Sequence, residues 1–371
     1  MAQIRVKTLT PVHIDSGNQL QYNSDFIEEK DVHTKERFIQ VIDIRKILEL
    51  IGEAQIEEWL LSIEKKESTK KFMKRIMPDS ELFSYSKRRM KCFAEEIGVD
   101  DTLKECLHNG LGLPYVPGSS LKGAIRTAVF TSLVKEVNEK EKKILFRGEM
   151  TASVLEKELF GSIPNTDIFR FIHVGDVYFD KNTEMVLRSV MYLNISKNLS
   201  LQSKSGTSQL IEAIAPNNEA ICQLDIKKDY YNWVREKYPE LNSPFKVNDI
   251  NKLFGLINAH TRKLVQDEVN IWVKLNETYS GAGSYIDNMK AILDEINNCQ
   301  DGKECVLRVG NASGWRFTTG AWGETLTNFK DVIAASRPNN SYYEEYDFPK
   351  SRKASEKGGL LGFIKLTIEK P

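Results

Sequence analysis

Strand-like and helix-like stretches follow one another in this chain without the regular strand–helix–strand rhythm that builds a doubly wound parallel sheet. That irregularity constrains the fold more than any single motif. "QIRVKTLTPVHI" reads as an opening strand, with Ile4 and Val6 alternating with Arg5 and Lys7 until Pro11 bends the chain. "DFIEEKD" and "ERFIQVID" read as two strands across a polar turn. "SQLIEAIA" and "EAICQLDIK" read as a hairpin around Pro216, Asn217 and Asn218. Helical spacing begins at Ile44, behind a capping Asp43, and returns after "LPYVPG" and from about Val247 to Leu275. The last third closes on strands in "ECVLRVG" and "GLLGFIKLTIE". This mixture predicts an α+β fold with antiparallel strands.

At 371 residues, 41% apolar and 28% charged, the chain has material for one large domain with insertions or for two domains. Acidic and basic residues balance at 52 each, which leaves nucleic acid open as a partner, because binding depends on where charge sits. No run approaches the length of a membrane span, and "MAQIRVKTLTPVHI" has no apolar core of signal-peptide length. A cytoplasmic protein with no membrane partner is expected. The five cysteines (Cys92, Cys106, Cys222, Cys299, Cys305) are odd in number and lack a CxxC pair, which argues for reduced thiols. The five histidines form no HxH or HExxH pattern, so no metal and no cofactor are expected. GxSxG and the P-loop pattern are both absent.

The densest chemistry lies in "LPYVPGSSLKGAIRTAVF", Leu113 to Phe130. Pro117-Gly118 predicts a turn, and Ser119 or Ser120 a cap on the helix that follows, with backbone N–H groups and the positive dipole end suited to an anion. Lys122 and Arg126, four apart, share one face. Gly123 lets a ligand backbone come close. From Lys65 to Lys91 the chain is basic, "KKESTKKFMKR" and "SYSKRRMK", with Phe72, Phe83 and Tyr85 interleaved. That suits nucleic acid, and a solvated helical insertion is the competing reading.

"LPYVPGSSLKGAIR" resembles the signature of the RAMP superfamily of CRISPR RNA-binding proteins. "TPVHIDSG" resembles its opening strand and loop, and "IHVGDVYF" its strand ending in an Asp, here Asp176. "RVGNASGWRFTTG", "FPKSRK" and "GGLLGFIKL" resemble elements of one branch, the family of fifth Csm subunits in type III-A CRISPR effector complexes. The resemblance implies an RRM-like (ferredoxin-like) antiparallel core forming one domain over 1–371. It also implies helical insertions, a basic one at about 43–112 and a second at about 229–300.

It further implies a non-catalytic, guide-RNA-binding and assembly subunit that holds the 3′ portion of the guide and supports its maturation in antiviral and anti-plasmid defence. Implied partners are guide RNA, target RNA, the backbone RAMP subunit, the small subunit and host nucleases. By motif match the RNA-binding residues are Ser119, Ser120, Lys122, Gly123 and Arg126, with His13, Ser16 and Gly17 of the opening loop. Trp315 and Arg316 follow, Trp315 as a stacking or a core aromatic. Lys350, Arg352 and Lys353 complete the set with Gly358 and Gly359, which a plain β-turn also explains. The alternative is a RAMP endoribonuclease using Asp25, Asp15 or His13. A small-molecule enzyme using Ser119–Arg126 for a phosphorylated substrate leaves the later elements unexplained.

Overall fold

The computed structural model describes residues 1–135, 153–195, 201–202, 209–237, 249–278, 281–318, 321–326, 329, 349 and 351–370. In chain order the first strands are β1 (Ala2–Thr8), β2 (Asp15–Gln21), β3 (Phe26–Lys30), β4 (Arg37–Ile42), β5 (Ser86–Cys92), β6 (Thr102–Cys106), β7 (Tyr115–Val116) and β8 (Ile172–Val174). Then come β9 (Val177–Tyr178), β10 (Met185–Asn194), β11 (Leu201–Gln202), β12 (Gln209–Ile214), β13 (Glu219–Ile226), β14 (Glu304–Arg308), β15 (Ser351–Ala354) and β16 (Phe363–Lys370). The described helices are α1 (Ile44–Ile51), α2 (Ile56–Glu64), α3 (Thr69–Ile76), α4 (Gly118–Val134), α5 (Ser153–Phe160), α6 (Lys228–Lys237), α7 (Ile250–Thr278) and α8 (Gly283–Asn297).

β1 alternates as read. Ala2, Ile4 and Val6 are buried, while Gln3 and Arg5 face solvent. It pairs antiparallel with β13 on one side and β16 on the other, β13 pairs with β8, and β14 adds a fifth strand outside β16. In the chain, α4 lies between β1 and β8, and α7 between β13 and β16. Removing β14 leaves the spatial order β16-β1-β13-β8 with one helix in each crossover. That is the ferredoxin-like strand–helix–strand–strand–helix–strand plan. Leu121, Ile125, Ala128 and Phe130 of α4 and Leu253, Phe254 and Ile257 of α7 pack with Ile4 and Val6 in one core. α7 lies within the 229–300 stretch expected as an insertion, yet it occupies the place of the second core helix.

A second, mixed sheet runs β2-β6-β12-β10-β5-β4-β3, with β11 and β15 also paired to β10. β3 and β4 form the expected antiparallel pair. Asp43 caps α1, its carboxylate accepting from the Arg45 N–H at 3.0 Å. α1 to α3 close over Ile27, Ile42, Trp59 and Phe72 as a satellite core. Two expectations change. Within 43–112 the helices end at Ile76, and the basic "SKRRMK" is strand β5 inside the second sheet. The hairpin read around Pro216 is instead a crossing, since β12 belongs to the second sheet and β13 to the first. Thr8 anchors that crossing. Its carbonyl accepts from Asn217 N at 2.7 Å and its hydroxyl donates to Ala215 O at 2.7 Å.

Candidate nucleic-acid interface

α4 begins two or three residues earlier than read. Pro117 is the cap residue and makes no side-chain cap bond, so Ser119 and Ser120 sit in the first turn rather than capping it. The Gly118 N–H donates to Asp176 Oδ1 at 2.7 Å, and Asp176 Oδ2 accepts from the Tyr178 hydroxyl at 2.9 Å. The anion at the positive end of this helix is therefore the protein's own Asp176. Glycine is required at 118 because a Cβ there would lie 2.2 Å from Val174 O.

One turn on, the surface opens. Ser119 and Gly123 are exposed, Ser120 and Lys122 half-buried, and a Cβ on Gly123 would meet nothing within 4 Å. Burial holds the Lys122 ammonium below the usual lysine range; Asp167 opposes that shift and Arg126 adds to it. Arg126 does not share this openness. Its Nη1 donates to both oxygens of Asp167, at 3.1 and 3.0 Å, and its guanidinium lies 4.1 Å from the Phe160 ring centroid. The cationic face read as a pair thus presents Lys122, while Arg126 ties α4 to the Asp167 turn. Sequence reading missed Tyr178. It is 54% exposed and stacks on Tyr115, with ring centroids 5.4 Å apart and planes 25° apart. The signal was available: Tyr115 lies two residues before Pro117, and Tyr178 two after Asp176.

In the opening loop, His13 is buried at 2% exposure, and its Nδ1 lies 2.7 Å from Glu212 O. That contact requires the proton on Nδ1, leaving Nε2 as a buried acceptor without a hydrogen-bond partner. Burial pushes its pKa down, against the Glu212 carbonyl and the charges of Asp15 and Glu212. Gly17 is exposed at φ 85°, Ser16 is half-buried, and the two form a bulge between β2 and β6. Asp15 accepts from Lys104 Nζ and from Gly17 N, each at 2.9 Å. Burial raises its carboxyl pKa, and these bonds outweigh that and hold it low. Asp25 accepts from Gln21 N at 2.8 Å, closing a tight turn.

The later motifs turn inward. Glu268 on α7 is fully buried and accepts from Arg352 Nε and Nη2 at 2.8 and 2.9 Å, from Trp272 Nε1 at 3.0 Å and from the Tyr285 hydroxyl at 3.2 Å. Arg316 adds ion pairs to Glu268 at 3.0 Å and Glu324 at 2.8 Å. Burial would raise the Glu268 pKa, but Arg352 and Arg316 hold it down. Arg316 and Arg352, expected among the RNA-binding residues, are interior cations paired with Glu268. Arg308 donates to Leu361 O at 2.9 Å and Ala312 O at 3.1 Å, clamping the "NASGW" turns to the glycine-rich loop. That loop in turn joins the opening loop through Gly362 N to Pro11 O at 2.8 Å. Gly358 has φ 73°, but its close neighbour is Tyr285 N of α8, 3.0 Å from where a Cβ would sit. Gly359 is extended at φ −63°, packed on Ser355 Oγ. Both serve the fold's interior contacts. Lys353 reaches Asn311 O at 3.3 Å, Trp315 is half-buried with Phe329 at 5.7 Å, and Lys350 lies outside the described residues.

Glu105, His108 and Glu212 bring ligand-type atoms within 4.8 Å of one another. Arg88 already lies among them, at 2.8 Å from Glu105 and 2.6 Å from Glu212, so an arginine supplies the positive charge there. Burial raises the Glu105 pKa, but bonds from Asn18 and Arg88 and the charges of Arg88 and Lys87 win, and it falls to about 2. Much of the basic stretch is paired in the same way, including Arg75 to Glu67 and Arg89 to Glu29.

A family model described as the RAMP superfamily matches residues 5–258. No curated protein matches the sequence. The fold is similar to a chain in the cryo-EM structure of a Csm–crRNA–target RNA ternary complex of a type III-A CRISPR-Cas system. That match has a TM-score of 0.73 at 19% identity and covers 100% of both chains. It is also similar to the crystal structure of T. onnurineus Csm5, with a TM-score of 0.65 at 18% identity, covering 97% of this chain and 99% of that one. At these identities the likeness is one of fold.

Proposed function

The chain belongs to the RAMP superfamily, and from that premise we propose that it is a guide-RNA-binding and assembly subunit of a type III-A Csm complex, in the position of the fifth subunit. The observation that carries this reading is the open face at the start of α4. There Ser119, Ser120, Lys122 and Gly123 adjoin the stacked Tyr115–Tyr178 pair. An exposed aromatic beside a lysine and a side-chain-free turn suits one strand of RNA, its base on the ring and its phosphate on the ammonium. Full-length likeness to a chain of the Csm–crRNA–target RNA complex supports the assignment. In this reading the chain holds the 3′ portion of the guide and supports its maturation by host nucleases. Its neighbours are the backbone and small subunits, and its place is the cytoplasm. No helix among the described residues is long and apolar enough to cross a membrane.

The subunit is non-catalytic in this reading, because each carboxylate proposed for cleavage has a local structural duty. Asp25 holds the Gln21 turn, and Asp15 is paired with Lys104. The test has two parts. RNA copurified with the complex and sequenced must contain guides, and its yield must drop in a complex carrying Lys122→Ala. Purified wild type, incubated with labelled single-stranded RNA and Mg²⁺ or Mn²⁺, must leave it intact. Cleavage that disappears in Asp25→Ala, Asp15→Ala or His13→Ala overturns the non-catalytic part.

A further inference from the structure

Of the five tryptophans in the chain, Trp233 on α6 is the most exposed, at 56%. α6 turns Tyr231 and Val234 inward, and Tyr231 packs edge-on against Phe171 with centroids 5.3 Å apart. Its outward face carries Tyr230 and Trp233, three residues apart, with ring planes only 18° apart and centroids at 6.0 Å. Tyr230, itself 41% exposed, is fixed from below: Arg170 donates to its hydroxyl at 2.8 Å and lies 5.4 Å from its ring centroid. Lys237 Nζ lies 5.8 Å from the Trp233 centroid. The result is a wide, oriented aromatic surface with a cation at each end. Tyr230 also packs edge-on against Phe171, with centroids 5.3 Å apart, while the Trp233 ring stays largely exposed, and leaving such a surface in water is unfavourable.

Flat aromatic faces flanked by cations suit nucleobases, which stack on the rings while their phosphates meet the charges. The other exposed residues of α6, Asp229, Asn232, Arg235 and Glu236 among them, are polar, so the rings are not the centre of an apolar protein-docking patch. Position points the same way. Arg170 lies in the short turn Ile168–Phe171, whose capping residue, Asp167, is the partner of Arg126 on α4. One compact segment thus joins the Tyr230–Trp233 surface to the Lys122 face.

We propose that Tyr230 and Trp233, with Arg170 and Lys237, form a second RNA contact: a stacking platform for bases of a single strand that continues from the Lys122 face. The proposal rests on the reading that this chain holds RNA, and its test separates the two. Purified full-length protein is titrated with labelled single-stranded poly-uridine RNA across a salt series. Trp233→Ala, checked by circular dichroism, is expected to weaken binding about tenfold. The slope of log K against log salt should not change, because no phosphate contact is removed. Trp233→Phe should recover most of the loss. Ultraviolet crosslinking of bromouridine-substituted RNA should label the tryptic peptide Asp229–Arg235. If wild type binds RNA and Trp233→Ala binds it equally, the platform falls and the Lys122 reading stands. A defect confined to capture of other subunits, with RNA affinity intact, replaces the platform with a protein contact. If wild type binds no RNA, both readings fall.

Discussion

The start of α4 and the surroundings of Glu268 draw on the same kinds of residue, arginine, lysine, glycine and aromatics, and the fold uses them in opposite ways. At α4 the backbone is tied down by Asp176, and what remains faces outward: Ser119, Lys122, Gly123 and the Tyr178 ring. At Glu268 two arginines, a tryptophan and a tyrosine converge on one carboxylate with no exposure. A planar guanidinium matches a phosphate and a carboxylate equally well, so residue type alone does not separate ligand contact from internal support. Burial separates them.

The largest expected effect tests the interior side. Glu268→Ala strands Arg352 without its carboxylate and leaves Arg316 only Glu324, and breaking a buried pair of this kind costs about 3–5 kcal/mol. Urea unfolding should register that loss. A cost below about 1 kcal/mol would mean that the cluster behaves like a surface pair.

Two glycines on α4, Gly118 and Gly123, five residues apart, sharpen the outward side. Gly118→Ala drives a Cβ into Val174 O and should cost about 1–3 kcal/mol. Gly123→Ala meets open space in a helix and should stabilise by roughly 0.5–1 kcal/mol, while reducing RNA affinity where a strand comes close. Thermal unfolding and RNA titration of the two variants should move apart. Shifts of the same sign would erase the distinction.

pH examines the interior through its histidines. Burial lowers the His260 pKa from 6.5 to about 4, and His13 and His108 shift in the same direction. Each is neutral in the fold and gains a proton more readily when unfolded. Their contribution is complete above pH 6.5 and is lost as pH falls through the folded values. The expected slope is at most about 1.4 kcal/mol per pH unit for each proton. Melting temperature should therefore drop on acidification below pH 6.5, and His260→Gln should flatten that drop.

The smallest effect on the fold belongs to Lys122. Lys122→Ala should leave stability within about 0.5 kcal/mol of wild type. It should lower the salt slope for single-stranded RNA by about 0.7. A slope that does not change removes the phosphate contact from this face.

The α+β, antiparallel character was legible because its signals are local, whereas the ferredoxin-like plan came only with the family resemblance. Ile4 and Val6 alternate within β1, and Asp43 stands directly before the helix it caps. The Pro216 turn was misread because tight turns look alike whether the next strand pairs with the last or crosses to another sheet. Thr8, which anchors the crossing, lies at the far end of the sequence. The α4 face was legible for the same local reason, except that Arg126 answers to Asp167 beyond the helix. Arg316 and Arg352 look free in sequence because their partner, Glu268, sits far off on helix α7 in an ordinary polar stretch. Nothing near either arginine announces it.

The pairing of β1 with β16 has a consequence for how the chain is made. β1 leaves the ribosome long before β16, and its Ile4 and Val6 must find Ile368 and Leu366, far along the chain. Such distant contacts make closure late and slow. Until then β1 presents an unpaired edge that can recruit strands from other chains. A chain released before residue 363 lacks β16, and with it the strand that closes that edge.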